Sequence, residues 1–163
     1  MKTSRTLFLV RHAKSSWDMN VADWQRPLTE EGIARAEAVA GVMKAEKIKP
    51  ALIISSHAFR AVNTALIFAR ILNIPVGEIV VSSALYGKSA GELISFIRDM
   101  DDGCGSVMLF GHNPSFTELY NMLTGRMLRN LSTSAAAGIE FSTASWKYLA
   151  PPGRTVFLET GKD

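Results

Sequence analysis

The chain has 163 residues, of which 47% are hydrophobic and 20% are charged, proportions that are typical of a globular protein with one core. Lysine and arginine exceed aspartate and glutamate by 18 to 15, and the surplus is spread along the chain, which argues against a nucleic-acid-binding protein. No apolar stretch approaches the ~20 residues of a membrane span. Neither nucleic acid nor a membrane is therefore an expected partner. We expect a single domain over residues 1–163.

Apolar segments of strand type and helix type alternate along the chain. The predicted strands lie near residues 7–11, 51–55, 79–82, 106–110, 138–141 and 155–158, and the predicted helices near residues 30–47, 58–72, 90–100 and 115–124. Such alternation is typical of a three-layer α/β fold, in which helices cover both faces of a mostly parallel central sheet. The last two strands are candidates for antiparallel pairing.

Two helix starts carry recognisable capping residues. Thr29 is predicted to cap the first helix, and Asn113 the helix whose first residue is Pro114. Helices that begin just after strands direct backbone N–H groups to a place where an anion can bind.

The compartment is predicted from the cysteine content and from the start of the chain. Cys104 is the single cysteine and cannot form an internal disulfide, which favours a reducing environment. The apolar run that follows Lys2 and Arg5 stops at Arg11, too early for the apolar region of a signal peptide. We therefore expect a cytoplasmic protein.

The first predicted strand ends on an adjacent arginine and histidine, Arg11 and His12. Ligands of open α/β folds bind beyond the carboxyl ends of the strands. An arginine offers a fork of donors that matches phosphate oxygens, and a neutral imidazole offers a nucleophilic nitrogen near neutral pH. The pair therefore indicates phosphoryl transfer through histidine, although a basic dipeptide after a strand is more often a solvated loop.

Two further strand ends carry residues suited to phosphate. Arg60 lies one turn into the helix after the second strand, so its side chain projects back toward the end of that strand. His112 follows the fourth strand, after Gly111, which permits a sharp turn. Alone, Arg60 would be a surface arginine and His112 a structural histidine, whereas together with the first pair they predict one phosphate site.

This combination resembles the histidine phosphatase superfamily. Its Arg-His pair after the first strand matches Arg11 and His12, its Ser-x-x-x-Arg-Ala-x-x-Thr-Ala pattern is similar to the segment that carries Arg60, and its second histidine matches His112. The short chain, with Arg-His-Ala at 11–13, Arg-Pro-Leu-Thr at 26–29 and Gly-His-Asn-Pro at 111–114, is similar to the compact phosphohistidine phosphatase branch. The resemblance runs from about residue 7 to residue 141 and implies a phosphoglycerate mutase-like fold.

The resemblance also implies a mechanism that needs no cofactor. Neutral His12 attacks phosphorus, Arg11, Arg60 and His112 hold the equatorial oxygens, and water then releases phosphate from a covalent phosphohistidine. A bound anion would favour a protonated His112, whereas His12 needs one unprotonated nitrogen, with its other N–H held by a backbone carbonyl. Arg26 is implied as a further phosphate or substrate contact, or else as an ion pair that positions the loop before the first helix.

The leaving group separates the possible substrates. An alkoxide needs a general acid, and relatives that hydrolyse phosphate esters place a carboxylate near the third strand or the following helix. Here the first acid in that region is Glu92, which is expected in the first turn of a helix, where it complements the dipole. Asp18 and Glu92 are the candidate acids. Phosphohistidine leaves as an imidazole that solvent can protonate, so a missing acid favours that substrate.

Other site types fit less well. A metal site at His12, His57 and His112 is not expected, because no two of them lie at ligand spacing on one element and the arginines would repel a cation. Trp17 and Trp24 flank the first site, and we expect their loop to pack over the core, with a protein-docking surface as the alternative.

The sequence thus predicts a monomeric, metal-independent phosphatase for phosphohistidine, acting on a phosphohistidine-containing protein or a small phosphorylated molecule. One alternative is a phosphatase of a small phosphate ester. The other is a phosphate-binding module without turnover. The composition of the segment 126–137, with its serine, threonine and alanine residues, fits a loop beside the pocket as well as a plain connection.

Overall fold

Six strands alternate with four α-helices in the computed structural model, which describes residues 3–161. The strands are β1 (Arg5–Arg11), β2 (Leu52–Ser55), β3 (Val80–Val81), β4 (Ser106–Gly111), β5 (Ala136–Phe141) and β6 (Arg154–Glu159). The helices are α1 (Glu30–Ala45), α2 (Phe59–Ile71), α3 (Ala90–Arg98) and α4 (Ser115–Thr124). Every predicted element is present, with bounds that shift by at most two residues.

All six strands form one sheet in the order β3-β2-β4-β1-β5-β6. The first three neighbouring pairs are parallel and the last two are antiparallel. The α/β prediction is confirmed, and the sheet is mixed because the two late strands pair antiparallel. The parallel register sets Arg11 beside Gly111, and Ser55 beside Phe110. The carboxyl ends of β1, β2 and β4 therefore meet at one edge, as the proposed site requires.

Alternate residues of β1 face two separate buried clusters, as the twofold period of a strand demands. Leu7 and Leu9 pack with residues of α3 and α4, whereas Phe8 and Val10 pack with residues of α1 and α2. Both faces of the sheet are thus covered by helices, and the fold has three layers. Within residues 3–161, no helix combines the length and the apolar character needed to cross a membrane.

The two predicted caps differ in how closely they match the structure. Thr29 Oγ1 accepts the backbone N–H of Gly32 at 3.0 Å and caps α1 as predicted. Helix α4 begins at Ser115, so Pro114 stands at the cap position that was predicted for Asn113. Asn113 still binds the helix start, because its Oδ1 accepts the backbone N–H of Thr117 at 3.2 Å.

Two glycines of α1 make a matched pair for a test of packing. A Cβ at Gly32 would collide with the carbonyl oxygen of Lys14 and lie 2.9 Å from its amide nitrogen, whereas a Cβ at Gly41 would meet nothing within 4 Å. Gly32→Ala is expected to lower the free energy of unfolding by about 3 kcal/mol, because backbone cannot move aside cheaply. Gly41→Ala is expected to raise it by about 0.5–1 kcal/mol, since alanine is the better helix former. Urea unfolding of both variants measures the difference, and equal effects would contradict this packing.

Candidate active site

A polar cleft of about 310 Å³ lies at the sheet edge where β1 and β4 end. The four residues predicted to carry the chemistry, Arg11, His12, Arg60 and His112, all line it, and so does Arg26. Its remaining lining residues are Lys14, Ser15, Trp17, Asn113 and Thr133. Four of the ten lining residues are lysine or arginine and none is acidic, so the cleft is suited to an anion.

His12 is buried at the base of the cleft and is held through its backbone and its ring. Its backbone N–H donates to the carbonyl oxygen of Gly111 at 3.0 Å. Its Nδ1 lies 2.7 Å from the carbonyl oxygen of Ala13. Because a carbonyl only accepts, Nδ1 carries the proton and Nε2 keeps its lone pair. The predicted backbone anchor is therefore present, and Nε2 is the nitrogen that can attack.

Burial keeps the ring of His12 uncharged. The pKa of His12 is lowered to about 3, chiefly by desolvation and to a smaller extent by the nearby charges of His112, Arg60 and Arg11, against the raising effect of the Ala13 hydrogen bond. The imidazole is therefore neutral at pH 7, as a nucleophile requires.

This shift predicts a pH dependence of stability. The pKa of His12 is 6.5 in the unfolded chain and about 3 in the folded protein, so between these values only the unfolded chain binds the proton. The free energy of unfolding should fall as the pH is lowered from 6.5 toward 3, and this contribution is fully present above pH 6.5. A His12→Gln variant lacks it. Urea unfolding at several pH values should show a smaller acid-induced loss for the variant, and equal losses would contradict the shift.

His112 faces His12 across the cleft, with ring centroids 5.2 Å apart. Its Nε2 lies 2.8 Å from Ser56 Oγ, which also accepts the backbone N–H of Ala58 at 3.2 Å. Burial, followed by the charge of Arg60, lowers the pKa of His112 to about 4, so this ring is neutral at pH 7 as well. The predicted protonated state therefore depends on the negative charge of a bound anion, which raises the pKa of an adjacent imidazole.

The arginine side chains of the cleft are fixed by protein oxygens. Arg11 Nη1 donates to the carbonyl oxygen of Leu131 at 2.9 Å. Arg60 donates from Nη1 to the backbone oxygen of Asp23 at 2.8 Å and from Nη2 to its carboxylate at 3.0 Å. Arg60 Nε and His112 Nδ1 are buried and have no hydrogen-bond partner among the described residues. Buried polar atoms are rarely left unpaired, so these two nitrogens are candidate partners for the oxygens of a bound anion.

Ser134 and Ala135, which lie in the segment 126–137, hold the backbone of Arg11 and His12 through hydrogen bonds. The backbone N–H of Ser134 donates to the carbonyl oxygens of Arg11 at 3.1 Å and of His12 at 3.2 Å, and Ala135 accepts the N–H of Arg11 at 3.0 Å. Ser134 has a left-handed backbone with a φ of 65°. The segment therefore fixes the backbone of the two residues, and Thr133 adds to the cleft wall.

Arg26 forms an ion pair, as one of its two predicted roles requires, and the phosphate contact stays a prediction. It lines the cleft, and its Nε forms an ion pair with Asp23 Oδ1 at 3.2 Å. Its Nη1 donates to Ser15 Oγ at 2.7 Å, and its guanidinium lies 3.5 Å from the ring centre of Trp17. Sequence reasoning missed Asp23 and Ser15. The spacing of three residues between Asp23 and Arg26 was the available signal for the ion pair.

Neither candidate acid lies in the cleft wall. Glu92 is the third residue of α3 and forms a capping box with Ser89, its carboxylate accepting the Ser89 N–H at 3.2 Å. Asp18 is exposed, in the loop before α1. Neither carboxylate lines the cleft, so the structure does not place either of them as the predicted general acid.

Asp23 supports two of the cleft arginines but is a poor proton donor. The hydroxyl of Tyr86 donates to its Oδ2 at 2.5 Å. This hydrogen bond, followed by the contacts with Arg60 and Arg26, lowers the pKa of Asp23 to about 2. The carboxylate is therefore ionised at neutral pH. Within residues 3–161, no group of three or more His, Cys, Asp or Glu side chains could hold a metal ion.

Several apolar side chains are exposed in the loop before α1 and at the start of α2, and Trp17 among them lines the cleft. We call them the apolar rim: Trp17, Met19, Val21, Trp24 and Phe59. Between 40% and 78% of each residue is exposed, and Trp24 contacts Phe59 edge to face at 5.3 Å. The expected packing of the tryptophan loop over the core is therefore wrong. A concentration of exposed apolar side chains is typical of a contact region for another molecule.

Comparison with known proteins gives a consistent family. The model of the histidine phosphatase superfamily (branch 1) matches residues 7–85. An uncharacterised chloroplastic protein of Arabidopsis thaliana is 32% identical over 155 residues, which cover 88% of this chain and 70% of that protein. A 2,3-bisphosphoglycerate-dependent phosphoglycerate mutase of Methylobacterium is 33% identical over 98 residues, covering 58% of this chain and 47% of the mutase.

Solved structures extend the similarity over almost the whole chain. SixA of Agrobacterium tumefaciens has a TM-score of 0.82 and 27% identity, covering 96% of this chain and 97% of its own. The protein histidine phosphatase SixA in complex with tungstate has a TM-score of 0.81 and 23% identity, with the same coverage. The fold is thus that of the compact SixA structures.

Proposed function

Since the chain is a phosphatase of the histidine phosphatase superfamily, we propose that its substrate is phosphohistidine carried by a protein. One observation carries this proposal: the cleft that contains His12 is lined by four cationic side chains and by no carboxylate among the described residues. Such a cleft can stabilise a phosphoryl group and supply a nucleophile, but it offers no carboxylic acid to an alkoxide.

In the proposed first step, Nε2 of neutral His12 attacks phosphorus, and the bond between phosphorus and the substrate nitrogen breaks. The electron pair of that bond stays on the leaving imidazole, which takes a proton from solvent. Arg11, Arg60 and His112 hold the equatorial oxygens while charge spreads over them. The product of this step is a phosphohistidine on His12.

In the proposed second step, a water oxygen bonds to phosphorus and the bond to His12 Nε2 breaks. The electron pair returns to Nε2, the water loses a proton to solvent, and inorganic phosphate leaves the cleft. No metal ion takes part in either step. The hydrogen bond from Nδ1 to Ala13 keeps the ring in the same tautomer throughout, so Nε2 is ready for the next substrate.

The apolar rim favours a protein-borne phosphoryl group over a small metabolite. A cleft of about 310 Å³ accommodates a phosphoryl group and an imidazole but not the chain that carries them. The rest of a protein substrate would therefore lie against the rim, where aromatic side chains are effective contacts. The similarity to the protein histidine phosphatase SixA supports the same substrate class.

Phosphate release from a phosphohistidine-carrying protein and from a simple aryl phosphate, side by side in excess chelator, tests the proposal. Preference for phosphohistidine is expected, with undiminished activity in chelator. Preference for the ester would instead identify a phosphatase of small phosphate esters. Stoichiometric binding without release from either substrate would identify a phosphate-binding module.

A further inference from the structure

Asp23 lies outside the lining of the cleft, but its side chain is bound by three groups from three separate parts of the chain. Arg26 Nε lies 3.2 Å from Oδ1, Arg60 Nη2 lies 3.0 Å from Oδ2, and the Tyr86 hydroxyl lies 2.5 Å from the same Oδ2. One carboxylate thus joins two arginines of the cleft. The arrangement is not required by the core, since the Asp23 side chain is 48% exposed.

The contact with Arg60 fixes the orientation of its guanidinium. Nη1 binds the backbone oxygen of Asp23 and Nη2 binds its carboxylate, so both terminal nitrogens are held by one residue. The buried Nε, which has no partner among residues 3–161, is not engaged by Asp23. A donor that is already oriented needs no reorganisation when charge develops on the transferring phosphoryl group.

The contacts also change the charge of the cleft. The lining includes Arg11, Lys14, Arg26 and Arg60. The carboxylate of Asp23 offsets charge on two of them from outside the cleft. Without it, mutual repulsion between the guanidinium groups would be larger, and inorganic phosphate would be held more tightly after hydrolysis.

We propose that Asp23 is a positioning residue that orients Arg60 and Arg26 toward the phosphoryl group and offsets their charge so that product phosphate can leave. This inference rests on the proposed function for the reaction step. The ionised state of the carboxylate across the neutral pH range, which follows from its lowered pKa, is consistent with both roles.

The test compares Asp23→Asn with Asp18→Asn, which removes an exposed carboxylate from the same loop. Asp23→Asn is expected to lower kcat by about 10²-fold, because the arginines lose their fixed orientation. It is also expected to bind inorganic phosphate about fivefold more tightly in calorimetry, because one offsetting charge is gone. Asp18→Asn should leave both values at the wild-type level.

A purely structural role would move the two measurements together, so parallel losses of kcat and phosphate affinity would overturn the inference. An Asp23→Asn enzyme with wild-type kcat would also overturn it. Tyr86→Phe provides a second variant that keeps the carboxylate, and a smaller fall in kcat with unchanged phosphate affinity is expected.

The two hypotheses fail in different ways. Calorimetry with inorganic phosphate needs no turnover, and kcat is measured on whichever phosphorylated compound the wild type hydrolyses. Loss of the phosphohistidine assignment would appear as wild-type preference for an ester. Failure of the Asp23 inference would appear only in the comparison between Asp23→Asn and the wild type.

Discussion

Replacing His12 by alanine is expected to slow phosphate release by about 10⁴-fold or more, the largest effect of any single substitution in this chain. The loss follows from the position of Nε2, which is the free nitrogen of a neutral, buried ring anchored through Nδ1. Without it no covalent intermediate forms, and water must attack the substrate directly. Rapid-quench measurement of phosphate release under single-turnover conditions gives the rate.

His57→Ala is the matched control for that substitution. The chain has three histidines, and His57 is the one that does not line the cleft. Its replacement should leave turnover of a small phosphoramidate near the wild-type rate. Turnover by His12→Ala at a rate comparable to the wild type would mean that another group attacks phosphorus.

Arg60→Ala is expected to lower kcat by about 10³-fold, the second largest effect. Arg60 is buried beside both histidines, its charge lowers the pKa of each ring, and its guanidinium is held by two bonds to Asp23. Its removal deletes a preorganised donor at the point where phosphoryl charge develops. Arg60→Lys should recover little activity, because an ammonium group cannot reproduce the fork of donors.

Arg70→Ala provides the control on the same helix. Arg70 lies in the last turn of α2, is exposed and does not line the cleft. Steady-state kinetics should show wild-type kcat for this variant. Equal effects at Arg60 and Arg70 would indicate that the loss at Arg60 arises from the helix and not from contact with phosphate.

The sequence predicts the fold and the four central residues because both depend on local patterns. Apolar segments bounded by turn residues give the strands, and the alternation with helices makes neighbouring strands parallel. Three strand ends must then meet at one edge. Arg11, His12 and His112 lie directly at those ends, and Arg60 lies in the first turn after one of them, so a linear pattern is enough to bring them together.

The supporting contacts could not be predicted, because they join residues far apart in the chain. Asp23 meets Arg60 across 37 positions and Tyr86 across 63. Ser134 binds the backbone of Arg11 and His12, which lie near the opposite end of the chain. Such contacts depend on loop conformations, which composition and periodicity do not specify. Only the ion pair between Asp23 and Arg26 has a local signal, their spacing of three residues.

The packing of the loop that carries Trp17 and Trp24 was predicted wrongly for a related reason. Tryptophans in a loop usually pack on the core, and the sequence alone gives no reason to expect otherwise for Trp17. In the structure, Trp17 is 78% exposed, and its ring contacts the guanidinium of Arg26, which also lines the cleft. This contact between Trp17 and Arg26 again joins two side chains of one loop.

The most direct measurement is the location of the phosphoryl group on the enzyme during turnover. The protein is mixed with a phosphohistidine-carrying protein labelled in its phosphoryl group, quenched in alkali within the first turnover, digested and mapped by mass spectrometry. We predict transient label on His12 alone, acid-labile and absent from His12→Ala. Rapid phosphate release with no labelled enzyme at any time point, or label at a different residue, would contradict the mechanism.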